Sequence, residues 1–174
     1  PILFSHSVFN AAAGYLASIN EITGFALTVS DFAFPFFRAL ELGWLAIRTG
    51  QLEHCLILQV ETYSELLQDA KKLADPSGRR WRPGVNCWLL ESQDLSESGY
   101  LIEDLHIKSG ANIAESYLHF SERVVVNGKA RQSDCPLSSA AMLGTEMRNF
   151  GAHPWLNCRV EADYGSVTLN LCKN

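Results

Sequence analysis

No stretch of this chain is both long and apolar enough to cross a membrane as a helix, and no run of like charges interrupts it. A net charge of −5 leaves no basic stripe of the kind a nucleic-acid footprint needs. The one local cluster, Arg79-Arg80-Trp81-Arg82, reads as a loop or docking patch. A Gly-rich phosphate loop, HExxH, GxSxG and the dinucleotide fingerprint are all missing. The five cysteines, at 55, 87, 135, 158 and 172, are odd in number, scattered and without CxxC spacing. That pattern argues against a zinc site or a disulfide framework and for a reducing, cytoplasmic setting. Neither metal nor cofactor is expected.

What is present suits a single domain over residues 1–174, with 47% hydrophobic residues to fill a core. The chain opens on Pro1-Ile2-Leu3-Phe4 without a charged leader or signal pattern, and reads as starting inside a domain. Ser5 to Ile19 follow as a turn and a helix rich in small residues.

The densest signal lies between Ile22 and Glu61. Ile22 to Val29 is a short apolar run of β-formers, as in a strand buried on both faces, and Ser30-Asp31 are turn and N-cap residues. From Ala33 to Ile47 the residues Phe36, Phe37, Leu40, Trp44, Leu45 and Ile47 recur at three- and four-residue spacings, which predicts a helix with a broad buried stripe. Pro35 fits its first turn, and Gly50 fits the left-handed position just past its end, with Arg48 beside the last carbonyls. His54 to Glu61 reads as a second central strand. Strand, helix and strand with short connections predict a βαβ unit with parallel pairing.

Beyond it, Thr62 to Leu73 is helix-compatible and Asp75-Pro76-Ser77-Gly78 is a loop. Gly84–Glu91 reads as a strand, and 100–107 as another, antiparallel to it across Ser96-Glu97-Ser98-Gly99. Ala111 to Val126 reads as helix then strand, Asn127-Gly128 as a tight turn, and Pro136 to Met147 as a helix. Strands at 158–161 and 166–171 close the chain around Asp163-Tyr164-Gly165.

The phrases FSHSVFNAAAGYLASI, ALTVSDFAFPFFRALELGWLAI, AIRTG and CLILQVET carry a resemblance over residues 1 to about 95. The chain resembles the short β-ketoacyl synthase-like proteins of the thiolase superfamily, of N-terminal-domain or chain-length-factor type, with Phe9 where a histidine is usual. The resemblance implies an α/β fold, a thiolase-like three-layer half-fold with a mostly parallel sheet and an antiparallel edge pair, from which the family's N-terminal part is absent. It also implies a nucleophilic cysteine in the turn after the first strand, at about Ala33. Alanine has no reactive atom, so decarboxylative condensation has no nucleophile at that turn.

The implied function is therefore that of a non-catalytic subunit pairing with an active ketosynthase, as a homo- or heterodimer, alongside an acyl carrier protein in fatty-acid or aryl-polyene/polyketide synthesis. The strand at 22–29 would be its dimer edge, and Phe32, Phe34, Phe36 and Phe37 would be tunnel or interface walls, unless they are plain core. His6 and Asn10 are the nearby polar candidates, with a helix-start or turn role as the plain alternative. A different mechanism, an acyl-thioester binder or hydrolase using His6 with Ser30 or Asp31, has all its residue types present but no spacing that singles them out. A ligand-free scaffold is the third reading. His106, His119 and His153 stand alone, as surface or packing residues.

Overall fold

The computed structural model of the chain describes residues 11–31, 33–61, 65, 69, 83–93, 99–110, 121–133, 135, 137–149 and 154–173. His6, Asn10, Phe32, His119, His153 and most of the helix expected at 62–73 lie outside them. The chain divides into two compact units, Pro1–Ser30 and Asp31–Asn174.

In the first unit, helix α1 spans Ala11–Ile19. It ends in a Schellman motif: Ile22 N–H donates to the Ala17 carbonyl at 2.8 Å, and Glu21 takes the left-handed position at φ 54°. Residues 22–30 form no strand, and Ile22, Phe25 and Leu27 are exposed. This overturns the strand expected at 22–29. A short apolar run of β-formers becomes a strand only where a sheet receives its backbone groups, because β-propensity measures fit to a sheet surface more than any preference of the lone segment.

The second unit holds helix α2 at Pro35–Arg48, strands β1 at His54–Glu61 and β2 at Gly84–Glu91, and strands β3 at Tyr100–Ser109, β4 at Glu122–Val126 and β5 at Lys129–Ser133. Helix α3 at Ser138–Asn149 and strands β6 at Trp155–Ala162 and β7 at Gly165–Lys173 complete it. The expected bounds of β1 and β2 match those observed, and α2 is the buried helix the spacing requires, with Phe36, Phe37, Leu40 and Gly43 inside. Gly50 sits past its end at φ 71°, and Gln51 N–H reaches back to the Ala46 carbonyl at 2.9 Å.

The pairing differs from the expectation. β1 and β2 form a two-stranded antiparallel ribbon, and the other five strands form an antiparallel sheet in the order β3-β7-β6-β4-β5. The thiolase-like half-fold with a mostly parallel sheet is therefore corrected: every pairing among the described residues is antiparallel, and α2 crosses between no parallel strands. β3 likewise pairs with β7, not with β2.

The Asn127-Gly128 turn, with φ 46° and 80°, joins β4 to β5 in the conformation expected of a two-residue hairpin. In β6 and β7 alternate residues point inward, so Leu156, Cys158, Val160, Val167, Leu169 and Leu171 build one wall of the core.

The two helices pack against the ribbon on one side and the five-stranded sheet on the other. α2 contacts β1, β2 and β3, while α3 contacts β4 and β6 and carries Gly144 close to Trp88 of β2. Phe36 meets Trp88 edge-on at 5.2 Å between ring centres. Gly43 is where α2 lies closest to the ribbon: a Cβ there would stand 2.9 Å from Ile57 Cδ1 and 3.0 Å from Cys55 Sγ.

Candidate functional site

The turn expected to hold a nucleophile is packed shut. Ala33 is 1% exposed and Phe34 3%, and the Phe34 ring lies 5.0 Å from that of Tyr164. Phe34 is the N-cap of α2, in the left-handed conformation at φ 58° and ψ 48°, without a side-chain cap. A bulky residue there is strained by about 1 kcal/mol or more, and the burial of its ring is what holds it.

Asp31 organises the approach to α2. Its Oδ1 accepts the Ala33 N–H at 3.1 Å and its Oδ2 pairs with Arg38 Nε at 3.3 Å. Arg38 also reaches Glu41 at 3.1 Å and donates to Ser109 Oγ on β3 at 3.2 Å. Asp31 thus has a structural task, and Phe36 and Phe37 belong to the core beside it. Ser30 is an exposed residue of the first unit.

The sequence reading missed a buried carboxylate. Glu122, at the start of β4, is 3% exposed; its Oε2 accepts from Ser139 Oγ in the first turn of α3 and its Oε1 from the Tyr164 hydroxyl, both at 2.6 Å. Such short O–H···O distances are those of charge-assisted bonds. Burial pushes the Glu122 carboxyl above its ordinary range, while the two hydroxyl donors pull it partly back. Cys158 on β6, opposite Val126, is pushed up to about 12 by burial and by the Glu122 charge, so its thiol stays protonated and unreactive. The period-two pattern of Glu122, Val124 and Val126 was the available signal, since it places the glutamate on the same face as two core valines.

All five cysteines are free thiols. Among the described residues no group of three or more His, Cys, Asp or Glu side chains is placed to hold a metal ion, and no helix is long and apolar enough to cross a membrane.

The largest chemical anomaly is the outer face of the ribbon. Three cross-strand pairs, Leu56 with Leu89, Leu58 with Cys87 and Val60 with Val85, all point away from α2. Leu56, Val60, Val85 and Leu89 are 49 to 61% exposed, Cys87 is exposed and Leu58 half-buried. The opposite face, with Cys55, Ile57, Trp88 and Leu90, is the one that packs on the helices. A strand apolar on both faces is the pattern of a strand covered on both.

Comparison with protein families, with curated proteins and with solved structures finds no match to this chain.

Proposed function

We propose that this chain is a non-catalytic association subunit, which binds another protein chain and does not itself turn over a substrate. The observation that carries this reading is the outer face of the ribbon, where three apolar pairs stand exposed in succession, on strands whose composition calls for cover on both sides. The packed turn at Ala33 and Phe34 supports it, because core side chains occupy the place where a reacting group would have to meet solvent or substrate.

The partner class rests on the sequence phrases alone. They favour a ketosynthase with its acyl carrier protein, in fatty-acid or aryl-polyene/polyketide synthesis; the antiparallel fold adds nothing to that choice. Sedimentation velocity of the chain mixed with a candidate ketosynthase tests it, with a faster mixed species expected. In parallel, an acyl-thioester assay of the chain alone should show no turnover above buffer. Sustained thioester hydrolysis together with an absence of any complex would overturn the reading.

A further inference from the structure

We infer that the outer face of the ribbon is covered by a second copy of this chain, related by a twofold axis running across the strands. The inference rests on the association reading and specifies one occupant of that surface.

The two ends of the face differ in bulk. Its rungs run from Leu56/Leu89 through Leu58/Cys87 to Val60/Val85, from two large side chains at one end to two smaller ones at the other. A twofold axis across the strands reverses strand direction while keeping like strand over like. The leucine rung of one copy then meets the valine rung of the other at both ends, so the summed bulk is the same at the two ends, with the middle rung of each copy on the other's. An axis along the strands would instead stack leucines on leucines and valines on valines, leaving one end open.

Charge agrees with this arrangement. Among the described residues of the face, the one ionisable pair, His54 and Glu91 at 3.5 Å, lies beyond the leucine rung. The twofold carries it past the valine end of the other copy, so the pair is not buried against the apolar rungs.

Area sets the strength. The six side chains offer on the order of 450 Å², so two copies would hide roughly 900 Å², below the roughly 1,600 Å² of a standard interface and in the range of weak, reversible complexes. The pair is therefore a concentration-dependent dimer, with Cys87 on its middle rung facing the other copy's Cys87 near the axis.

The test uses the whole chain. From low to high micromolar concentration the sedimentation coefficient should rise, and alkylation of Cys87 by N-ethylmaleimide, read by peptide mass, should slow several-fold while that of Cys135 between β5 and α3 does not. A short bismaleimide should join Cys87 to Cys87. Val85→Lys should abolish all three effects and leave the melting temperature unchanged, since Val85 is 61% exposed in the single chain. His106→Lys, on the other sheet and 71% exposed at its side chain, should change nothing. Sedimentation and Cys87 labelling that do not vary with concentration overturn the second-copy assignment. If Cys87 is then protected by a ketosynthase, the association reading survives that failure; if nothing protects it, both fall.

Discussion

The Tyr164 hydroxyl donates to Glu122 Oε1 at 2.6 Å, a bond between the tip of the β6–β7 turn and the start of β4, with both residues all but sealed from water. With Ser139 on the other oxygen, the carboxyl ties the sheet to the first turn of α3. The Tyr164 ring in turn supports Phe34, so the same side chain touches the start of α2.

The carboxyl predicts how stability varies with pH. A carboxyl held above its ordinary range by burial binds its proton more tightly in the folded chain than in the unfolded one. Its contribution is complete below the unfolded value near 4.5 and is lost as pH rises through the raised value. Melting temperatures measured from pH 4.5 upward should fall more in the wild type than in Glu122→Gln, which cannot ionise. Parallel curves for the two proteins would refute the assignment.

Tyr164→Phe removes one donor without changing the ring. It should cost about 1–3 kcal/mol, because Glu122 is left with an unsatisfied buried oxygen. It should also steepen the loss of stability with pH, since one of the two hydrogen bonds that lower the Glu122 carboxyl's value is gone. Urea unfolding at two pH values separates the two effects.

At Phe34 the usual ranking of small residues should invert. Alanine and glycine both lose the ring's burial, about 3–5 kcal/mol for a core phenylalanine. Glycine alone escapes the left-handed penalty at φ 58°, so Phe34→Gly should be more stable than Phe34→Ala by about 1 kcal/mol. Alanine proving the more stable, by chemical denaturation, would mean that the backbone there relaxes when the ring is removed.

Gly43 permits the close approach of α2 to the ribbon. Gly43→Ala adds a Cβ against three side-chain ends, Ile57 Cδ1, Cys55 Sγ and Leu90 Cδ1, while improving helix propensity by about 1 kcal/mol, so it should be nearly neutral. Gly43→Val brings two methyls into the same space and should cost about 2 kcal/mol or more. Thermal melts of the pair check this, and a neutral valine variant would mean that helix and ribbon separate easily.

Local structure was legible where the signal was local. The ends of β1 and β2, the stop at Gly50, the Asn127-Gly128 hairpin and the closing pair of strands around Asp163 to Gly165 all follow from short-range pattern and turn chemistry. Partner choice was not. The run from Ile22 to Val29 has the composition of a buried strand, yet composition names no neighbour, and the parallel unit built on it fails with it. β3 finds its partner in β7, more than fifty residues onward, where no turn fixes the register and a bulge at Glu103 shifts it. The packed state of Phe34 involves Tyr164, which lies far along the chain; the exposed ribbon face was visible only as an excess of hydrophobicity.

The strand order also bears on how the molecule is made. β7 and β6 occupy the middle of the five-stranded sheet, yet they are synthesised after β3, β4 and β5, the strands they join. Until that last hairpin is available, β3 has no neighbour in its sheet and β4 only β5, so the sheet forms late and mainly through distant contacts. Such a topology folds slowly and leaves apolar edges open while it waits. Nascent chains halted before Trp155 should be sensitive to protease throughout β3 to β5, and release of the final hairpin should protect all three strands in one step.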